Sequence, residues 1–178
     1  TISGGTIVVE DANQGTGGDY ENLAGTVSIT GGAVQFGNAN TGSGVLDDFD
    51  IIGASKFPAF VIVDNGTSVP TLTLGASGIT ATGGITINAG TSLLANSQSI
   101  SLTGSWTNDG TFTPGTQTTT FNGAAAQTIG GATVTTFSSL TINNTSGGVS
   151  LSQDVNVSGT MTFTSGVVTS TSTNTLTI

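Results

Sequence analysis

Apolar and polar residues alternate in short segments along most of the chain, which is the pattern of β-strands with one buried face. In the C-terminal half the pattern repeats, since Phe121, Ile142 and Phe163 lie 21 positions apart and each follows a Thr. Turn-forming residues such as Asn122 and Gly123 come directly after the first of them. A repeat of about twenty residues, with strands and turns in each unit, predicts a stacked coil or solenoid.

Most strands predicted from residue 71 onward are short, and several fall within each repeat. Because turns separate them and no stretch shows a 3.6-residue period, a three-sided coil fits better than a hairpin meander. We therefore expect an all-β protein with a right-handed parallel β-helix. The predicted strands are 71–74, 85–87, 100–103, 118–121, 127–129, 134–137, 139–142, 149–151, 155–157, 160–163 and 175–178.

Residues 1–70 are less regular. Strands are predicted at 6–10, 26–29, 33–36 and 59–63, with a turn at Gly31 and Gly32. The last of these is the most apolar and is expected to be buried on both faces. Polar loops are predicted at 11–24 and 37–44. We interpret residues 1–178 as a single β-helix domain, with irregular loop-bearing rungs in 1–70 and regular repeat rungs in 71–178.

A β-sandwich of the jelly-roll type, as in pilin-like subunits, is the alternative fold. It would also give short strands and glycine-rich turns. It would not explain why three Thr-apolar pairs recur at the same interval of 21 residues.

The charge excludes several classes of partner. The chain has ten acidic residues and a single basic one, Lys56, which gives a net charge of −9. Such a chain cannot neutralise phosphates, so nucleic acid and anionic lipid are excluded as partners. No run of eighteen apolar residues is present, so we expect no membrane insertion. The absence of cysteine rules out disulfides and thiol chemistry.

The residue composition favours an extracellular location. The chain has 35 Thr, 20 Ser and 28 Gly, which disfavours helix. Scarce Lys and Arg suit a protein that must resist trypsin-like proteolysis. We therefore expect a secreted or cell-surface protein.

The segment 105–178 contains a series of short motifs. These are Trp106-Thr107-Asn108-Asp109-Gly110-Thr111-Phe112, Thr120-Phe121-Asn122-Gly123, Ala126-Gln127-Thr128-Ile129, Leu140-Thr141-Ile142-Asn143-Asn144, Val155-Asn156-Val157-Ser158-Gly159-Thr160 and Asn174-Thr175-Leu176-Thr177-Ile178. In this order they resemble the repeats of large secreted and surface β-helix proteins, adhesin-like, of Bacteroidota and related bacteria. The resemblance implies an adhesive or structural role, and residues 1–70 do not share it.

Asp47, Asp48 and Asp50 form the only dense acidic cluster. Carboxylate oxygens are ligands that calcium prefers, so a calcium site is one interpretation, although EF-hand spacing is absent. A polysaccharide-degrading enzyme would have to rely on carboxylates alone, because His and Arg are absent. We expect a solvated acidic loop, no cofactor other than this calcium alternative, and no enzymatic activity. A second set of oxygen ligands is Asp11, Asn13, Asp19 and Glu21.

Two further features suggest a binding module for glycan or ice as an alternative function. Outward-facing Thr120, Thr141 and Thr162 would stack in a column of hydroxyls and methyls, although Thr also simply suits an exposed strand face. Trp106 and Tyr20 could stack on a sugar ring, although a single Trp also suits a core position. The residues expected to extend the Thr column are Thr171, Thr173, Thr175 and Thr177.

The two ends of the coil carry the main functional prediction. The first and last rungs of a β-helix have unpaired backbone groups, which invite pairing with another chain. We expect head-to-tail stacking of subunits into a filament or surface stalk, because contacts that do not close into a ring give fibres. The predicted interface consists of Thr6, Ile7, Val8 and Val9 at one end and Thr175, Leu176, Thr177 and Ile178 at the other.

Overall fold

The computed structural model describes residues 1–10, 20–22, 28–38, 48–53, 55–57, 59–62, 70–75 and 78–178. Within these ranges every regular element is a β-strand and every strand pairing is parallel, so the protein is a β-solenoid. The strands are β1 (Ile2–Val9), β2 (Tyr20–Asn22), β3 (Ile29–Phe36), β4 (Asp48–Gly53), β5 (Ser55–Phe57), β6 (Ala59–Ile62), β7 (Thr71–Leu74), β8 (Ile79–Ala81), β9 (Ile85–Ile87), β10 (Ser92–Leu94), β11 (Ile100–Leu102), β12 (Trp106–Asn108), β13 (Thr111–Thr113), β14 (Thr118–Phe121), β15 (Gln127–Gly130), β16 (Thr135–Phe137), β17 (Ser139–Asn143), β18 (Val149–Leu151), β19 (Val155–Val157), β20 (Met161–Ser165), β21 (Val168–Thr169) and β22 (Leu176–Thr177).

The coil has three faces, as the sequence predicted. Face 1 is an eight-stranded sheet in the order β1-β3-β6-β9-β12-β15-β18-β21. Face 2 consists of a five-stranded sheet, β2-β4-β7-β10-β13, and a three-stranded sheet, β16-β19-β22, which meet where β13 contacts β16. Face 3 is a six-stranded sheet, β5-β8-β11-β14-β17-β20. From β4 onward the chain visits faces 2, 3 and 1 in turn, so strands that are neighbours in a sheet belong to successive rungs.

The 21-residue repeat sets the register of face 3. Phe121 pairs with Ile142, which pairs with Phe163, so the predicted ladder is confirmed. Its first two side chains are fully buried, whereas Phe163 is 54% exposed because β20 is the last strand of its sheet. A side chain at an interior position is therefore exposed to solvent in the last described rung, because no further rung packs on it.

The core is built by alternation along each strand. Inward side chains of one rung stack on those of the next, as Leu72 does on Leu93 and Ile85 on Trp106. All four are fully buried. Burying a side chain of this size contributes about 1.5–3 kcal/mol, so a strand of three residues is stabilised by its neighbouring rungs and not by its own hydrogen bonds alone.

Two predictions about residues 1–36 are wrong. The strand β3 continues through Gly31 and Gly32, where a turn was expected. Gly32 has a φ of +97°, and a Cβ there would lie 2.8 Å from the Gly5 carbonyl oxygen. The register between β1 and β3 shifts at this point, so the glycines form an irregularity between two rungs. The strand β2 also lies inside the segment 11–24, which was expected to be a loop, and the rest of that segment lies outside the described residues.

Aromatic side chains fill the core where face 2 is interrupted. Trp106 packs edge-on against Phe112 and Phe137, with ring centroids 4.7 and 5.3 Å apart. Phe137 also packs against Phe121 at 6.1 Å. The four rings come from β12, β13, β14 and β16, on both sides of the gap in the ladder of face 2. Ring packing therefore joins two rungs whose strands on face 2 are not paired, although β14 and β17 pair over four positions on face 3.

Candidate functional site

Large apolar side chains on the surface are concentrated at the two ends of the rod. Of the six that are exposed among the described residues, two lie in β1 and three lie in the last rung, between residues 161 and 178. Val134 is the sixth, beside β16. The exposed fractions are 42% for Ile7, 44% for Val8, 54% for Phe163, 61% for Val167 and 71% for Ile178.

The predicted interface residues lie at these two ends. Thr6, Ile7, Val8 and Val9 belong to β1, the strand at one edge of face 1. At the other end of the rod, β20, β21 and β22 are the edge strands of the three faces. Leu176 and Thr177 form β22, Thr175 precedes it and Ile178 follows it. The last rung thus presents three parallel strand edges with apolar side chains between them.

A carboxylate fixes the last rung onto the one before it. The Asp154 Oδ1 atom accepts hydrogen bonds from the Thr175 backbone N–H at 2.7 Å and from the Thr175 hydroxyl at 2.9 Å. These two bonds hold the pKa of the Asp154 carboxyl below its ordinary value of 3.8, and the bond from the backbone N–H contributes more than the bond from the hydroxyl. Asp109 makes a similar contact two rungs earlier, because its Oδ1 accepts the Ala132 N–H at 2.7 Å. Sequence reasoning did not identify this role of the two acids.

The predicted Thr column exists on face 3. Thr120 pairs with Thr141, which pairs with Thr162, and the first two are half-buried while the third is exposed. The same column continues through Ser101 and Thr80 on the preceding strands. Five rungs therefore carry a hydroxyl at the same outward position.

Four other threonines that were expected to extend this column do not join it. Thr171 and Thr173 share a hydrogen bond of 3.0 Å in the turn before β22. Thr175 is bound to Asp154, and Thr177 lies in β22 on face 2. Alternating Thr residues in one segment of the sequence do not specify which face of the coil they reach.

A shallow depression of about 300 Å³ lies on the outer side of face 2. Asn96 and Ser97 at its edge have φ values of 48° and 63°, in the left-handed region that non-glycine residues rarely adopt. The Ser97 hydroxyl accepts one hydrogen bond from the Thr116 N–H and another from the Thr116 hydroxyl. These two bonds stabilise the strained corner. The lining residues are Thr73, Leu94, Asn96, Ser97, Thr113 and Gly115.

The acidic cluster proposed for calcium is only partly described. Asp48 and Asp50 lie in β4, in register with Thr71 and Thr73, whereas Asp47 lies outside the described residues. Within the described part of the chain no group of three or more acidic side chains is placed to hold a metal ion. Calcium binding at this cluster stays a prediction.

The two aromatic residues considered for sugar stacking pack inward. Trp106 is fully buried, and its indole N–H donates to the Thr135 hydroxyl at 3.3 Å, so the sugar-stacking hypothesis is wrong for this residue. Tyr20 is half-buried against Phe36 and Phe57, and burial raises the pKa of its phenol. Both are core residues.

A buried amide network runs through the corner between faces 3 and 1. The Gln127 side chain donates to the carbonyls of Leu102 and Gly104, and its Oε1 accepts the Gly123 N–H at 3.0 Å and the Asn144 amide at 2.9 Å. Asn144 in turn accepts two backbone N–H groups of the following turn. The sequence gives no signal for this network, because buried amides at strand positions break the apolar alternation.

No helix long and apolar enough to cross a membrane occurs among the residues that the structure describes. In comparisons with known proteins, no family model matches the chain, and no curated protein or solved structure shows significant similarity to it.

Proposed function

We propose that this chain is a structural segment of an extracellular adhesive filament or surface stalk, in which copies of the solenoid stack end to end. The observation that carries the proposal is the position of the exposed apolar side chains, five of six of which lie at the two ends of the described rod. Exposed apolar side chains on edge strands favour the addition of a further rung along the axis.

Stacking would continue interactions that already hold the rungs together. A copy docked on the last rung would cover Phe163, Val167 and Ile178 and would pair with the edges of β20, β21 and β22. Each fully covered side chain of this kind contributes about 1.5–3 kcal/mol. Part of this gain offsets the loss of translational and rotational freedom on association, so assembly should depend on protein concentration.

The charge distribution disfavours contact between two N-terminal ends. Eight of the ten acidic residues precede residue 65, whereas residues 155–178 contain no charged side chain. Two N-terminal ends would repel each other, and the neutral C-terminal rung lacks that repulsion. Head-to-tail contacts do not close, so they extend into a filament.

Electron microscopy of the purified chain over a range of concentrations tests this proposal. We expect fibres that lengthen as the protein concentration rises. The variant Phe163→Asp places a charge in the end contact and should abolish the fibres. Val134→Asp is the matched control, since Val134 is 43% exposed and lies away from both ends, and it should assemble like the parent chain.

Two outcomes would contradict the proposal. Folded monomers at every concentration would show that the ends do not associate. Discrete dimers that disappear in Phe163→Asp would show that two C-terminal rungs meet each other, which closes the assembly and gives no filament.

A further inference from the structure

The outer side of face 3 carries a regular two-dimensional grid of hydroxyl groups. One column consists of the five residues Thr80, Ser101, Thr120, Thr141 and Thr162, which are in register on consecutive strands. Two residues earlier, Thr118 and Ser139 are in register on β14 and β17. Ser99 and Thr160 occupy the same position in sequence directly before β11 and β20, and they complete a second column.

The spacing of the grid is fixed by strand geometry. Neighbouring parallel strands lie about 4.8 Å apart, and alternate residues of one strand lie about 6.6 Å apart. The register between β8, β11, β14 and β17 has no shift, so the repeat is constant over these rungs. The first shift comes after Ile142, at the end of the pairing between β17 and β20.

The hydroxyls of the five-residue column have no hydrogen-bond partner within the described part of the protein. Some surface hydroxyls on the other faces are paired, as between Thr128 and Ser150 on face 1 and between Ser97 and Thr116 on face 2. Among the residues of the two columns only Ser139 accepts a bond, from the Thr160 N–H at 3.4 Å. The grid thus presents free donors and acceptors on a rigid support.

The grid also carries no charge, although the protein as a whole has a net charge of −9. All nine residues of the two columns are Ser or Thr. The next position of the column, on β5, is Lys56, so the uncharged part of the column ends at Thr80. Over the five rungs a charged ligand would find no complementary group, and the nine residues include no aromatic ring for a sugar to stack on. A neutral ligand with a matching lattice is the partner that this chemistry fits.

We propose that face 3 binds the surface of ice. The repeat between strands, about 4.8 Å, is set by strand geometry and is close to the shorter repeat of water oxygens in hexagonal ice. Thr methyl groups order the water around them while the hydroxyls hydrogen-bond to it, so a flat grid of both holds a lattice-like layer of water at the surface. This function goes beyond the structural role proposed above and does not depend on filament formation, since the grid lies on the side of the rod.

Thermal hysteresis and ice-crystal shaping by the purified chain test the proposal. We expect a measurable hysteresis gap and faceted crystals. Thr141→Lys, at the centre of the grid, should remove most of the gap because its long charged side chain prevents close approach of the lattice. Thr136→Lys is the matched control, because Thr136 is the exposed middle residue of β16 on face 2, and it should retain the gap.

A gentler variant separates the role of the grid from effects on folding. Thr141→Val keeps the side-chain shape and the methyl group but removes the hydroxyl, and its circular dichroism should match that of the parent chain. We expect a reduced gap in this variant as well. Measurement in an Ile178→Asp background, which changes the end contact outside face 3, shows whether the effect occurs without end-to-end assembly.

Three results would overturn the proposal. They are a folded parent chain with no hysteresis and unshaped crystals, an unchanged gap in Thr141→Lys, and an equal loss in Thr136→Lys.

Discussion

At the scale of single residues, the interior of the coil depends on a few polar side chains as well as on its apolar ladder. Gln127 is 1% exposed and has partners for both atoms of its amide. A buried amide of this kind contributes little when it is satisfied, but removing it leaves other buried groups without partners. The Gln127 amide therefore fixes the geometry of the corner between faces 3 and 1 more than it adds to the free energy of unfolding.

Replacing Gln127 by Leu should lower the free energy of unfolding by about 2–4 kcal/mol, because the buried Gly123 N–H and the Gly104 carbonyl lose a partner. Urea denaturation followed by circular dichroism measures this loss. Gln153→Leu is the control, since that amide is partly exposed and water can replace its contacts with Gly131 and Ala132. Equal losses in both variants would contradict the assigned role.

Acid should weaken the attachment of the last rung. The pKa of Asp154 is lower in the folded protein than its ordinary value, so the bonds from Thr175 stabilise the fold above the ordinary pKa and are lost as the pH falls through the lower, folded value. The Thr175 amide proton, followed by NMR during acid titration, should shift with that lower pKa. Asp154→Asn should remove the titration, and a midpoint at or above 3.8 would contradict the prediction.

At the scale of the element, the corners between strands limit which residues are tolerated. Gly131 follows β15 with a φ of +117°, and a Cβ there would overlap the backbone of Asn108 in the rung before it. Two constraints, the backbone conformation and the close approach, apply at the same residue.

Gly131→Ala should therefore destabilise the protein by at least about 1–3 kcal/mol, the usual cost of a residue held in an unfavourable backbone conformation. The melting temperature measures the effect. Gly4→Ala is a matched control, because nothing lies within 4 Å of the added Cβ and its φ is not positive. A similar decrease in both variants would show that the clash with Asn108 does not matter.

The elements that the sequence predicted are those in which inward apolar residues alternate with polar ones, such as β7, β9 and β14. Strands such as β13, with the single apolar residue Phe112 between two threonines, were missed because contacts with other rungs stabilise them. The Thr column could be predicted because the period is constant. The exposure of apolar side chains in the last rung and the Asp154 contact could not, because both depend on packing between rungs. The right-handed sense of the coil stays a prediction.

At the scale of the whole molecule, each rung contacts only its neighbours, so stability should vary along the rod. Rungs in the middle have a partner on both sides, whereas β21 and β22 have one among the described strands. Native-state hydrogen exchange should show the slowest amides in β11 and β12 and the fastest in the last rung. Uniform protection along residues 78–178 would indicate a single cooperative unit and contradict this expectation.

The interruption of face 2 has a mechanical consequence. All ladders of hydrogen bonds run along the rod, so a pull along the axis loads them in parallel, and between β13 and β16 one of the three is missing. Face 1 has only two register pairs at the same joint, Trp106 with Ile129 and Thr107 with Gly130. Face 3 keeps four register pairs at this joint, between residues 118–121 and residues 139–142, so under tension the rod should open there first on the side of face 2, where the aromatic rings make the contact. In single-molecule stretching, the force of the first rupture should then be lower in Phe137→Leu than in the parent chain. Because the joint opens first, the rungs on either side would stay folded.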